Sequence, residues 1–346
     1  MSEVYLRNID LKDSQEVKKV QYFLRSFELE YEFDIDFTVI IEVKVEIKAT
    51  ASKAKNVFKC FAISKEVRSE GLAAKLITAL TNRLFEEDMY HSFIFTTPGN
   101  MDIFVSLGYK IIYQIQDVAL LESGIYNIDK YLRDIKNKYQ IDDKPKAAIV
   151  VNCNPFTFGH LFLIETAALR EEQVLVFVVQ EDKSIFPFQV RYELIKSGTE
   201  HLKNVTVIPG GEYIISSATF PGYFLKEENQ LLNAYTSLDA GIFGDHFCKA
   251  LNIVTRYVGE EPYCLVTQNY NEALKEILPR FGVELKILPR IKNNDDFISA
   301  TVVRNLIKCG RIEETKAMVP QVTWEFLNTP KGSGIVEKIK NKSSPK

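Results

Sequence analysis

The five cysteines of this 346-residue sequence, Cys60, Cys153, Cys248, Cys264 and Cys309, are scattered, odd in number and never form a Cys-x-x-Cys pair. That excludes a zinc ribbon and a disulfide framework, and it suggests a reducing compartment with no metal site. No stretch reaches the ~18 uninterrupted apolar residues of a membrane span. The first fifteen residues, MSEVYLRNIDLKDSQ, carry charges and no apolar signal core, so the expected location is the cytoplasm, away from membranes. An excess of one charge is also lacking. Lys and Arg number 43 against 46 Asp and Glu, a net charge of −3, which argues against nucleic acid held by bulk charge. There is no internal repeat. The one tryptophan, Trp324, reads as core.

What is present is an ordinary globular composition, 46% apolar and 26% charged, in a chain long enough for two cores. The clearest seam is KYLRDIKNKYQIDDKPK, charged and ending near Pro145. It gives a first domain at 1–130, a linker at 131–146, a second domain at 147–330 and a frayed polar tail at 331–346. The first domain reads as helix, strands, helix, strand, helix, strand: an α+β domain with one mixed sheet. Within it, DFTVIIEVKVEIKA reads as strand, with Val43, Val45 and Ile47 alternating against charged residues. The second domain alternates strand and helix regularly, and VLVFVVQ is the continuous apolar run of a strand covered on both sides. This predicts a doubly wound parallel sheet, whose ligands bind beyond the carboxyl ends of the strands.

The loop NPFTFGH falls at such a strand end, just before a helix. Helix N-termini offer unpaired N–H groups and partial positive charge, a ready anion site. Gly159 lets the backbone approach a ligand, Thr157 can donate a hydroxyl hydrogen bond, and His160 can donate to a phosphate oxygen as charge grows there. Asn154 and Phe156 belong to the same loop. A second helix opens with ISATVVR. Ser299 and Thr301 can cap it or hold phosphate oxygens, and Arg304, three residues past Thr301, lies on the same face and can clamp a phosphate. Gly259, after the predicted strand containing Arg256, is a third point of close approach. Asp295 and Asp296 read as solvated loop, and His91, His201 and His246 have no partner spacing.

TFGH resembles the (T/H)xGH motif of HIGH-type nucleotidyltransferases, and ISATVVR is similar to their ISxTxxR motif. EDKSIFPFQVRYELI resembles the family segment with a lysine and a downstream arginine, which puts Lys183 and Arg191 near the triphosphate or the acceptor. Longer segments, VVNCNPFTFGHLFLIETAA, VVQEDKSIFPF, EYIISSATFPGYFLKEE, YTSLDAGIF and RYVGEEPYCLVTQNYN, look like the citrate lyase ligase family, most strongly over residues 147–320. That resemblance implies an AMP-forming enzyme. It would use ATP with Mg²⁺ and acetate to make acetyl-adenylate, then acetylate the thiol of the dephospho-CoA-derived group on the acyl-carrier subunit of citrate lyase. His160, Lys183 and Arg304 would be its catalytic residues.

In the first domain, VRSEGLAAKLI is similar to the R/Q-x-x-G-x-G/A loop of GNAT acetyltransferases, which binds the pyrophosphate of coenzyme A at a helix start. It implies that Arg68, Gly71 and Ala73 bind a CoA-like arm. Many of those enzymes carry a tyrosine as general acid where this chain has Phe104, which has no proton to give. The resemblance therefore implies a domain that holds the accepting arm rather than one that runs acetyl-CoA-to-amine transfer. Two other readings stand beside this one: an adenylyltransferase making a dinucleotide-like cofactor of pantetheine or nicotinamide type, and a non-catalytic acyl-CoA or nucleotide sensor.

Overall fold

The structure, a computed structural model, describes residues 4–67, 71–180, 184–215, 220, 223, 225, 228–260, 265–293 and 296–341; of residues 4, 228, 229, 265–267, 292, 293 and 296 it describes the backbone alone. The chain divides into two compact units, Met1–Tyr131 with Phe220–Ala234, and Leu132–Thr219 with Tyr235–Lys346.

In the first unit, β1 (Val4–Asn8) and α1 (Ser14–Arg25) precede a hairpin of β2 (Phe37–Val43) and β3 (Glu46–Ala54), then β4 (Val57–Ile63). There follow α2 (Leu72–Glu86), β5 (His91–Thr96), α3 (Met101–Ser106), β6 (Lys110–Gln114) and β7 (Ala119–Gly124). The seven strands form one sheet in the order β1-β2-β3-β4-β5-β7-β6. Only β4 and β5 run parallel, and they pair at just two positions, Val57 with Phe93 and Phe58 with Ile94. Alternation assigns the two faces. Val39 and Ile41 pack with Leu72, Leu76, Leu80 and Leu84 of α2, whereas Ile40 packs with Val20 and Leu24 of α1. The run DFTVIIEVKVEIKA is not one strand. Lys44 (φ 53°) and Val45 (φ 69°) are left-handed and turn the chain back, leaving Val45 90% exposed. Charged neighbours hid the turn, because a β-branched residue is the last type expected at positive φ.

The second unit begins within α4 (Ile128–Lys138) and continues with β8 (Lys146–Val151), α5 (Phe158–Arg170), β9 (Val174–Val178), α6 (Phe188–Gly198) and β10 (Val205–Pro209). Then come α7 (Glu228–Ile242), a π-helical turn (Phe243–Cys248), α8 (Lys249–Leu251), β11 (Ile253–Gly259), α9 (Leu265–Ile277) and β12 (Glu284–Leu288). A ribbon of β13 (Lys292–Asn293) and β14 (Asp296–Phe297) precedes α10 (Ala300–Lys308), α11 (Gln321–Leu327) and α12 (Pro330–Asn341). The order β10-β9-β8-β11-β12, with every pair parallel, is that of a doubly wound sheet. Connections wind one way from β8 to β10 and the other way from β11 to β12, so the topological switch lies between β8 and β11. All five residues of β9 are buried, as the unbroken apolar run requires.

Two boundary segments differ from the sequence reading. Residues 131–146 do not form a bare linker: Leu132, Ile135 and Ile141 are buried, and the fully buried Lys146 donates to the carbonyls of Asp142 and Lys144. Residues 330–341 are helix rather than frayed tail, and Ile335, Val336 and Ile339 join the core. KGSG resembles a flexible linker in composition. Its Gly332 instead permits close packing, since a Cβ there would lie 1.9 Å from the carbonyl oxygen of Phe326.

Candidate active site

The loop after β8 and the tips of α5 and α10 enclose a cavity of about 1040 Å³ at the switch point of the parallel sheet. Its lining includes Asn154, Thr157, Gly159, His160, Gly259, Ser299, Thr301 and Arg304. Eight of the nucleotide-site candidates thus converge, though Ser299 is about 140 positions from His160 in sequence. Phe156 does not line this cavity. Its ring is fully buried in the core beneath the loop, against Gly198. Gly71 and Ala73 stand at the start of α2 in the first unit. Lys183, Arg68 and Asp295 lie outside the described residues.

Thr157 is the N-cap of α5, with His160 at the third helical position. The backbone N–H of Thr157 donates to His160 Nδ1 at 3.1 Å, and the hydroxyl of Thr157 lies 2.8 Å from the same nitrogen. A backbone N–H can only donate, so Nδ1 carries no proton and the neutral ring holds it on Nε2. Burial, helped by the charge of Arg290, pushes the imidazole from 6.5 down to about 4. At neutral pH, His160 is therefore an uncharged N–H donor in the cavity wall. Gly159 sits where α5 meets the approach to α10: a Cβ there would lie 3.2 Å from the Ile298 carbonyl oxygen.

At the other tip, Ser299 caps α10 by accepting from the Val302 N–H at 3.1 Å. Arg304 donates to the Asn154 carbonyl and, at 3.1 Å, to the Thr301 hydroxyl. Asn154 Oδ1 in turn accepts the Phe186 N–H at 3.0 Å. Burial lowers the pKa of Arg304, although it stays charged near neutrality. Arg256 and Arg290 bring two further guanidinium groups to the lining, and no Asp or Glu is among the lining residues described. The guanidinium groups of the described lining suit anionic ligands.

Arg191 is not among the described lining residues. It is 0% exposed, and it donates to the carbonyls of Phe186 (2.9 Å), Asn152 (2.7 Å) and Val179 (2.9 Å). It ties the loops after β8 and β9 to α6, a scaffold role that its spacing in sequence does not distinguish from phosphate binding. Conversely, Arg290, Tyr270 and Asn271 line the cavity without having been singled out. Arg290 follows β12, and a charged residue just past a parallel strand was the available signal.

Fold and site together define a nucleotidyltransferase-type α/β domain joined to an α+β domain with a mixed sheet. A family model, the citrate lyase ligase C-terminal domain, matches residues 146–327. A [citrate [pro-3S]-lyase] ligase of Klebsiella pneumoniae is 37% identical over 322 residues, 92% of this chain and 94% of that protein. The enzyme of the same name from Escherichia coli (strain K12) is 32% identical over 332 residues, 94% of each. A GNAT-family acetyltransferase structure from Staphylococcus aureus Mu50 matches 36% of this chain and 100% of its own, at 9% identity and a TM-score of 0.32. The chain belongs to the citrate lyase ligase family. No helix among the described residues is long and apolar enough to cross a membrane.

Proposed function

We propose that this chain activates citrate lyase by acetylating the thiol of its acyl-carrier prosthetic group, at the expense of ATP. One observation carries the reading: the tips of α5 and α10, with a neutral His160 and the Arg304 guanidinium, line one cavity at the sheet's switch point. In the first step an acetate oxygen attacks the α-phosphorus, a new P–O bond forms, the bond to the β-phosphate bridging oxygen breaks, and pyrophosphate leaves. The protein's part is positioning and charge stabilisation. His160 Nε2–H and Arg304 donate to phosphoryl oxygens as they gain charge, and the N–H groups at both helix tips hold the chain of phosphates. Lys183 is assigned to the same phosphates on the family motif. Mg²⁺ would accompany the triphosphate, held by nucleotide oxygens, and would neutralise charge on the leaving pyrophosphate. Among the described residues no group of three His, Cys, Asp or Glu forms a cage of its own.

In the second step the carrier's thiolate attacks the acyl carbon of acetyl-adenylate; the C–S bond forms, the C–O bond to phosphate breaks, and AMP leaves. No cysteine of this chain is required, in keeping with Cys153, whose burial raises the thiol far above its ordinary value. The first unit is assigned to the thiol-bearing arm through Gly71 and Ala73 at the α2 start, with Arg68 assigned on the family motif. Phe104, 4% exposed, is a packing residue there and no proton donor.

The test is acetate-dependent exchange of radiolabelled pyrophosphate into ATP. Exchange that requires acetate, with AMP release accelerated by thiol-form citrate lyase, is expected. Exchange indifferent to acetate but dependent on a phosphorylated pantetheine acceptor would replace this reading with an adenylyltransferase.

A further inference from the structure

Arg256 lies in β11, two residues before Val258 and on the same face, and both line the cavity. Its side chain is 1% exposed, with the guanidinium 4.1 Å from the centroid of the Phe243 ring. Nη2 makes one long contact, 3.5 Å to the Tyr270 hydroxyl. That hydroxyl donates to Asp239 Oδ2 at 2.6 Å, and Asp239 Oδ1 accepts the Ile215 N–H at 2.9 Å. Among the described residues, Nε and Nη1 of Arg256 have no hydrogen-bond partner. Asn271 is similarly half-served: its Nδ2 donates to the Gly259 carbonyl at 3.1 Å, while its Oδ1 has no partner among the described residues.

A buried cation with idle donors is costly, so the arrangement is informative. Folding would be better served by an apolar residue on Phe243, or by direct pairing with Asp239. Instead the acid is held one hydroxyl away, so the guanidinium is steadied while its remaining N–H groups are left unoccupied. The phosphates already have donors at the two helix tips. A reaction between a triphosphate and an acid needs a second anion subsite in the same cavity. The chemistry at Arg256 selects the kind of anion. A planar guanidinium matches a planar carboxylate, and Val258, on the same face of β11, gives the lining an apolar side chain beside it. The nearby Asp239 carboxylate disfavours a multiply charged phosphate more than a monoanion.

We propose that Arg256 is the acid-binding residue of this enzyme: its unpaired N–H groups take the carboxylate of a small monocarboxylic acid, while Tyr270 and Asp239 hold the guanidinium in position. This deepens the function proposed above and rests on it.

The test separates acid binding from turnover. Saturation-transfer NMR with acetate as the probe is recorded on the full-length wild type, Arg256→Gln and Arg256→Lys, alongside ATP binding by calorimetry. Thermal melts confirm that each variant is folded; the Lys variant keeps the stem over Phe243, and Tyr270→Phe stands in should both Arg256 variants fail to fold. The expected result is acetate binding weakened roughly tenfold or more in the Arg256 variants, or severalfold in Tyr270→Phe, with ATP affinity within about twofold of wild type. Acetate binding unchanged in the folded variants, ATP affinity falling as far as acetate affinity, or no acetate binding by the wild type would each overturn the assignment. Wild-type pyrophosphate exchange that needs acetate while folded Arg256 variants bind acetate normally would remove this inference and leave the proposed function standing. Acetate binding lost in the variants, with no acetate-dependent exchange by the wild type, would support the subsite and remove the function.

Discussion

Arg304 donates a hydrogen bond to the backbone carbonyl of Asn154, a residue 150 positions earlier in the chain. The bond joins the ISATVVR helix to the NPFTFGH loop, so that one guanidinium both builds the cavity and faces into it. Arg304→Lys keeps the charge but loses the planar fork that also reaches Thr301. The expected outcome is an ATP KM raised roughly tenfold, with about 1–2 kcal/mol of stability lost. Steady-state exchange kinetics and urea unfolding check the two parts separately.

His160 supplies one donor for charge that develops in the transition state. His160→Ala should therefore slow adenylate formation by roughly a hundredfold and change ATP binding little. Single-turnover measurement of acetyl-adenylate is the check, and a variant of wild-type rate would remove His160 from the mechanism.

The same ring makes stability depend on pH. Its folded-state pKa is about 4 against 6.5 ordinarily. Between those values the unfolded chain binds a proton that the native state does not. Stability contributed by neutral His160 is thus complete above pH 6.5 and is lost as the pH falls toward 4. Asp239, pushed up by burial from 3.8 to about 6, acts in the opposite sense over an overlapping range, its contribution being lost as pH rises through 6. Urea unfolding at pH 7 and pH 5 should show a smaller acid-side loss in His160→Gln than in wild type.

Gly159 has little room to spare. With an alanine Cβ 3.2 Å from the Ile298 carbonyl oxygen and 3.6 Å from the Thr157 hydroxyl, Gly159→Ala should push the two helix tips apart. About 1 kcal/mol of stability should be lost, with a clear rise in ATP KM. Equal KM values for variant and wild type would show that the tips tolerate the shift.

Deleting residues 330–346 is expected to be severe. Ile335, Val336 and Ile339 are each under 8% exposed, and their removal should cost on the order of 4 kcal/mol or more. A truncated protein with an unchanged urea midpoint would contradict the packing of α12.

The parallel sheet and the two helix tips were legible in the sequence because each rests on a local rule: an unbroken apolar run, a loop of small and polar residues, a capped helix. The meeting of Gly159 with Ile298 could be expected from the fold. The roles of the buried arginines could not, because Arg191 and Arg256 look alike as isolated letters. One donates to three backbone carbonyls and the other has donors with no partner among the described residues, a difference made by the surroundings each meets in the fold. The hairpin at Lys44 and Val45 and the helix across Gly332 were missed for a related reason. Close packing and register overrode residue preference in both places.

The first unit is completed by a piece of chain that arrives late. Tyr223 is buried among Ile40, Cys60 and Ala62, and its hydroxyl donates to the carbonyl of Phe95 at 2.8 Å, while Phe220 sets its edge against the Phe95 ring. With Phe220–Ala234 counted in that unit, no single cut can release either half intact. A fragment stopped near residue 140 would bare the pocket that Tyr223 fills, and the complementary fragment would carry its orphaned plug into solution. Efforts to split this polypeptide for separate expression, or to swap one half between relatives, should therefore graft the insert together with its host.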